Sequence, residues 1–448
     1  MSTTVPSSGR LPFVIYVLAA GVFLMGTTEF VVAGILPEIA ADLGIPVADA
    51  GLTITVFALG MIVGTPTMAI ATLKLPRQTT LSLALVVFAA GHVVVALSTS
   101  LPLILGARFV TALATGAFWA VAAVVGAKAA GPAASSRALG IVLGGGMLAN
   151  VIGVPLGAFA GQVIGWRGTF WALAALAVPA AVIVYRRVAA APGSGPAPSV
   201  RAEIARLRDG RVWLVLAGCA IVCGSSLAAY SFIAPLLTTN SGLAAAAVPL
   251  VLAGYGSGAF IGSNLGGRLG THRPYAVLFV SATATFLVLA ALAVFSHNLV
   301  ITIALVVLLG LFGMATNPVL IGMAVRYAAH APTLASALST SSFNLGTAVG
   351  SWLAGFALES ALGAIGPVLV GTGIAALYFV PLTLLLRKER SSVPRPCRWP
   401  PPDQRGQAER VGAVVIRMRV PSGRSRSASR SWVKRPIRTR PGHRPGRS

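Results

Sequence analysis

Charge is scarce in this sequence. Only 10% of its 448 residues are charged, against 56% hydrophobic, whereas soluble domains carry roughly 25% charged residues. A chain this apolar in water would present large apolar patches and aggregate, so lipid is the solvent that fits. Cysteine is scarce too, with three in all. Cys219 and Cys223 lie four apart in an apolar run and Cys397 lies near the C-terminus, without zinc-site spacing; packing explains the pair. The five histidines are scattered (His92, His272, His297, His330 and His443). No metal cluster, Ser-His-Asp set or paired-carboxylate site assembles from them, so an enzyme lacks its catalytic set. No Gly-Lys-Ser/Thr follows a glycine-rich loop, which leaves no nucleotide site and no cofactor to expect.

The net charge of +24 is concentrated at one end. After position 386 there are 18 Lys and Arg against three acids, Glu389, Asp403 and Glu409, giving +15; the remaining 16 bases and seven acids give +9, spread over short loops. A nucleic-acid partner would rest on that tail alone and is not expected.

What is present is apolar length. A membrane-crossing helix needs about 20 mostly apolar residues, and Leu11–Leu36 holds one charge, Glu29, in 26 residues. This run is too long for a secretory signal core and reads as a retained first helix. Breaks at Pro, Gly and charge predict twelve spans: 12–36, 50–72, 79–100, 103–128, 139–164, 168–187, 212–237, 247–269, 274–296, 299–326, 335–358 and 364–386. The fold class expected is an all-α membrane protein of two six-helix bundles.

Loop charges orient it. With the N-terminus inside, the inner loops hold thirteen bases (Lys74, Arg77, Lys128, Arg137, Arg186, Arg187, Arg201, Arg206, Arg208, Arg211, Arg268, Arg273 and Arg326) and the outer loops one, Arg167. Bases favour the cytoplasmic side, so both termini are expected there. Residues 189–198 (AAAPGSGPAP) read as a linker, followed by a short amphipathic helix suited to the membrane surface, with Val200, Ile204 and Leu207 on one side. The expected organisation is a first bundle over 1–187, a linker with an interfacial helix over 188–210, a second bundle over 211–387 and a disordered basic tail over 388–448, whose composition buries too little to order. The halves echo each other. Asn150-Val-Ile-Gly153 resembles Asn344-Leu-Gly346 at an offset of 194, and the basic loop ending at Arg77 matches that ending at Arg273 at an offset of 196. Duplicated units of this kind commonly hold substrate between them near the bilayer midplane.

Of ten carboxylates only Glu29 falls inside a span, and Arg108 is the one base well inside one. Intramembrane charge is costly and marks function. Counting at 1.5 Å per residue puts both about 10 Å below the outer surface, at matching depth. Glu29 is thus expected to carry protons and Arg108 to help couple them; the alternative is a fixed structural ion pair between the two. The fifth span is glycine-rich and holds one proline. Gly153, Pro155 and Gly157, with Gly346 and Gly350 in the eleventh, are expected to serve conformational change, through close helix approach and a proline bend.

These motifs resemble a known family. The stretch 103–118 (LILGARFVTALATGAF) resembles the fourth-helix motif of the major facilitator superfamily, with Thr111, Ala112 and Ala114 in place of its usual Gln and Gly. Ala149–Gly157 (ANVIGVPLG) with Gly161–Arg167 (GQVIGWR) resembles the antiporter motif of its twelve-span drug:proton branch. Met25–Pro37 (MGTTEFVVAGILP) and Leu73–Leu81 (LKLPRQTTL) look most like actinobacterial chloramphenicol exporters. The loop between the second and third spans normally carries an Asp in this superfamily; residues 71–74 and the second copy, Gly262–Arg273, lack it. Lys74, Arg77, Arg268 and Arg273 are left as the cytoplasmic gate.

The resemblance implies proton-coupled drug efflux by a monomer in the bacterial cytoplasmic membrane, with a cavity between the bundles. Its expected walls are Met25, Phe57, Met61, Phe118, Trp119, Asn150, Tyr230, Tyr255 and Asn344, since aromatic walls with few polar groups suit a small aromatic ligand. For each aromatic, packing or lipid contact is the alternative. Export of sugars, nucleosides or other metabolites, and a receptor or regulator that transports nothing, remain the rival functions.

Overall fold

The computed structural model describes residues 11–71, 75–131, 134–188, 209–328 and 332–392. Among these residues the chain is helical, without strands. In the first half, α1 is Phe13–Phe30, α2 Val47–Ala71, α3 Arg77–Leu97 and α4 Leu101–Ala130; α5 runs from Ser135 to Ile164 and α6 is Trp166–Arg187. In the second half, α7 is Gly210–Ser231, α8 Val248–His272 and α9 Pro274–Phe295. Then α10 is Leu299–Ala315 continued by Asn317–Tyr327, α11 is Pro332–Glu359, and α12 is Gly366–Leu377 continued by Phe379–Ser392.

Eleven of the twelve are long and apolar enough to cross a membrane. The remaining one, α11, has the length, at 28 residues, but carries Ser336, Ser339, Thr340, Ser341, Ser342, Asn344, Thr347 and Ser351. Neighbouring helices, rather than lipid, receive much of that polarity. Ser351 Oγ and Thr55 Oγ1 lie 2.8 Å apart, Ser341 Oγ donates to the Ile62 carbonyl at 3.2 Å, and Cys223 Sγ meets Thr347 Oγ1 at 3.4 Å.

Several expected spans are interrupted where prolines fall. The span expected over 12–36 stops being α-helical at Phe30, tightens into a 3-10 turn over Val31–Gly34 and gives way to a separate short helix, Leu36–Leu43. Pro37 lacks the N–H that would bond back to Ala33, and its ring collides with that carbonyl. The seventh span, expected to 237, ends at Ser231 and continues as a turn and a π segment, Leu236–Asn240, after Pro235. In α5 a π segment over Ala149–Gly153 immediately precedes Pro155. The proline withholds a donor from the Val151 carbonyl, and the Val154 N–H reaches back five residues to Ala149 instead. Helix α12 persists to Ser392, six residues past its expected end at 386. The interfacial helix expected after residue 198 and the tail from 393 onward lie outside the described residues.

Helix pairing repeats between the halves. Helix α1 packs on α5, α2 on α4 and α3 on α6; six helices later α7 packs on α11, α8 on α10 and α9 on α12. The joints between the two sets obey the same exchange, α2 against α11 and α5 against α8. Contacts gather the described residues up to Ser391 into one compact unit containing both sets.

Odd-numbered helices run from the face where α1 begins, called here the terminal face, to the opposite face. At the opposite face one apolar cluster joins both sets, from Val31, Ile35 and Leu36 through Phe232, Ile233 and Leu237 to Val248 and Leu252. Toward the terminal face the buried side chains divide into two separate clusters. One comes from α1, α3, α4, α5 and α6; the other comes from the second set. The sets therefore share one core at the opposite face and have separate cores toward the terminal face, where α2 and α11 still meet through Ser341 and the Ile62 carbonyl.

Candidate functional site

The polar centre lies where the shared core gives way to the separate ones. Along α1 the buried residues pass from the first set's own cluster at Met25 to the shared cluster at Val31, with Glu29 between. Along α3 the change falls between Ala89 and Val95, around His92, and along α4 between Ile104 and Ala114, around Arg108.

Arg108 is 1% exposed, so its charge must be met by protein. Its Nη1 donates to the Thr28 carbonyl at 3.0 Å and to Thr28 Oγ1 at 2.9 Å, and Nε donates to the Thr53 carbonyl at 3.4 Å. The guanidinium also stands 4.3 Å from the centroid of the Phe57 ring, a cation–π contact. Thr28 passes the chain on, because its Oγ1 is 2.7 Å from His92 Nε2, and His92 Nδ1 is 2.7 Å from the Phe88 carbonyl. A carbonyl only accepts, so Nδ1 carries the proton. Nε2 then accepts from the threonine hydroxyl, which itself accepts from Arg108. All directions agree for a neutral imidazole. Arg108 Nη2 has no hydrogen-bond partner among the described residues, which leaves that nitrogen's two N–H donors, on a buried cation, unmatched there.

Glu29 and Arg108 feel each other electrostatically, but no salt bridge within 4.0 Å joins them. The fixed structural ion pair weighed from the sequence is thus not formed. Glu29 is half-buried and also lies within electrostatic reach of Cys223 on α7. Its carboxyl stands at the junction of the two helix sets.

The expected cavity residues separate into groups. Phe57 and Met61 pack with Ala112 beside Arg108. Tyr230 and Tyr255 stack at 4.1 Å between centroids, joining α7 to α8, and the Tyr255 hydroxyl has no partner among the described residues. Trp119 likewise holds a buried Nε1 without a partner there. Met25 and Phe118 pack in the first set's core, the Phe118 ring filling the space a side chain on Gly21 would need. Asn150 and Asn344 each donate to a carbonyl four residues back, Gly146 at 3.3 Å and Thr340 at 3.1 Å.

The expected conformational glycines sit at close helix crossings. A Cβ on Gly153 would collide with Thr27 Oγ1 of α1, and one on Gly157 would lie 2.5 Å from Val31 Cγ2. Gly346 and Gly350 face the α7 backbone at Ala220 and Gly224. The crossing between the sets turns on Gly256 of α8, where a Cβ would overlap the Asn150 carbonyl in the α5 π segment.

Of the expected gate, Lys74 lies outside the described residues, Arg77 begins α3, and Arg268 and Arg273 are exposed at the terminal face. At the opposite face Arg167 pairs with Asp42, donates to the Ser98 carbonyl at 3.1 Å and covers the Trp166 ring. Nearby, burial pushes the Glu38 carboxyl above its ordinary range, opposed in part by its own backbone N–H, and Oε2 is buried without a partner among the described residues.

Thr28, Thr53, His92 and Gly256 were not singled out from sequence. A buried threonine or histidine in an apolar run looks the same whether or not an arginine from another helix reaches it.

The fold and this centre agree with comparison to known proteins. The model of the Major Facilitator Superfamily matches residues 18–237 and again 214–441. The chain belongs to that superfamily and is a multi-pass membrane transporter, not an enzyme. It is 37% identical to the chloramphenicol resistance protein of Streptomyces lividans over 80% of this chain and 92% of that one. It is 31% identical to the MFS-type transporter YtbD of Bacillus subtilis (strain 168), over 82% and 93%. Among solved structures it resembles the inward-facing, occupied form of a bacterial homologue of the human lysosomal transporter Spinster. That match has a TM-score of 0.67 at 17% identity, over 84% of this chain and 96% of the other. The nucleoside transporter NupG matches with a TM-score of 0.70 at 11% identity, over 83% and 98%. At such identities the structural likeness speaks for the fold alone.

Proposed function

We propose that this protein exports a small neutral drug of the chloramphenicol type across the bacterial cytoplasmic membrane in exchange for protons. The observation that carries the coupling is Glu29, a carboxyl held at the junction of the helix sets, beside a buried arginine yet bound to none. A carboxylate locked in an ion pair cannot readily change its proton occupancy, whereas one that is half-buried and unpaired can. The identity with the Streptomyces lividans protein supports the drug.

With both termini in the cytoplasm, the face with the shared core is external. A proton taken up at Glu29 in the outward state is released in the inward one, and Arg108 remains as counter-charge. The drug binds as the proton leaves, among aromatic groups such as Phe57 and the Tyr230–Tyr255 pair, with unpartnered donors at Trp119 and Tyr255 to orient it. The machine works as a monomer, since both helix sets that alternate belong to one chain.

The test is a drug-susceptibility panel in an efflux-deficient host, with and without a proton uncoupler, on wild type and Glu29→Gln at equal membrane abundance. Chloramphenicol resistance that the uncoupler and Glu29→Gln each abolish is expected. Glu29→Gln pumping uphill at the wild-type rate removes Glu29 from the coupling. A panel without drug resistance, together with uptake of sugars or nucleosides in proteoliposomes, favours a metabolite exporter; no uptake of any solute favours a receptor.

A further inference from the structure

Outside the centre, a groove of about 780 Å³ lies on the outer wall of the first set, between α3 and α6. Its floor is Ala89, Ala174 and Ala181, fastened by Ser82 Oγ donating to the Ala181 carbonyl at 3.0 Å. Its rims are Val86, Trp171, Val178 and Val182, all exposed. From Trp171 to Arg186 it follows α6 for about 22 Å at 1.5 Å per residue. That exceeds the roughly 15 Å of hydrocarbon in one leaflet. The groove is therefore long enough to take a whole acyl chain, and apolar enough to prefer one.

The end at the terminal face differs chemically. Tyr185 and Arg186 line it, and Arg186 is exposed with no hydrogen-bond or ion-pair partner among the described residues. Arg77 begins α3 at the same face, and Lys128, Arg137 and Arg187 also belong to the first set there. Its acids among the described residues, Glu29, Glu38, Asp42 and Asp49, lie at the centre or toward the opposite face. An apolar trough thus opens onto a basic end, with the exposed Arg186 at headgroup level.

We infer that the α3–α6 groove is a binding site for one anionic phospholipid from the leaflet at the terminal face, its acyl chain in the groove and its phosphate at Arg186. Charge complementarity selects this occupant over a second copy of the chain, whose same face would bring Arg186 against like charge. The inference does not depend on the substrate or on proton coupling.

Native mass spectrometry of the delipidated full-length protein tests it, titrating phosphatidylglycerol and, separately, phosphatidylethanolamine. One lipid is expected to be retained, with phosphatidylglycerol preferred by about fivefold, the factor equivalent to the ~1 kcal/mol that one base contributes beside anionic lipid. Ala175→Phe and Ala90→Phe, which fill the groove from its exposed side, should lower occupancy by both lipids. Arg186→Gln should leave occupancy but remove the preference. Equal retention of both lipids by wild type, or wild-type phosphatidylglycerol binding in both filled-groove variants, overturns the inference. So does a dimer peak that Ala175→Phe abolishes, which would assign the groove to a second copy.

Discussion

Replacing Thr28 with valine isolates the link between Arg108 and His92. Valine keeps the shape and deletes one hydroxyl, which accepts from Arg108 Nη1 at 2.9 Å and meets His92 Nε2 at 2.7 Å. The Thr28 carbonyl stays available to Nη1 at 3.0 Å, so the arginine is loosened and not abandoned. A hydrogen bond to a charged group contributes about 1.5–3 kcal/mol and a neutral one about 0.5–1.5. Within membranes measured values run lower, averaging about 0.6. The two bonds together therefore put the loss at about 1–4 kcal/mol. If the network belongs to this conformation alone, a 2 kcal/mol loss displaces the balance between conformations by roughly thirtyfold. Thermal stability in detergent and uncoupler-sensitive efflux should both fall in Thr28→Val. His92→Phe should cost a similar amount, and the double variant should cost less than the two single losses added together, because the bond they share can be lost only once. Full additivity of the two, or wild-type stability and efflux in Thr28→Val, would refute the network as drawn.

Gly256→Leu should block transport while the protein still inserts, since the side chain would overlap the Asn150 carbonyl where α8 crosses α5; Gly153→Leu and Gly157→Leu should do likewise by forcing α5 off α1, and normal efflux by all three would show that these crossings need not be close. Burial raises the Glu38 carboxyl, so the folded state holds its proton more tightly than the unfolded one. Its stabilising contribution is complete below the ordinary glutamate range and is lost as pH rises through the raised value. Melting of wild type should accordingly weaken, as pH rises above the ordinary glutamate range, more than that of Glu38→Gln, and parallel melting profiles would remove Glu38 as the cause. A stop after Ser392 keeps all of α12 and deletes the Arg- and Pro-rich remainder. Efflux at equal membrane abundance should be unchanged, and its loss would make that segment a regulator.

Some of this protein is written plainly in its sequence. Twelve helices follow from apolar length, because a chain in lipid has few other ways to satisfy its backbone. The basic loops give the expected orientation, and the echo of Asn150-Val-Ile-Gly153 in Asn344-Leu-Gly346 anticipated the repeated helix pairing. Glu29 and Arg108 stood out for the same reason, since charge is rare where it is expensive. What tertiary structure alone decided is partnership. Sequence spacing could match Glu29 and Arg108 in depth, but only the packing of α1, α2, α3 and α4 turned the arginine toward Thr28, Thr53 and Phe57 and left the glutamate unpaired. The same holds for Gly256, one glycine among many until the Asn150 carbonyl is placed against it, and for α11, whose serines look too polar for lipid until α2 and α7 cover them. Hydropathy is a property each residue carries by itself. A hydrogen bond or a helix crossing belongs to two residues far apart in the chain, and comes into being only when the fold brings them together.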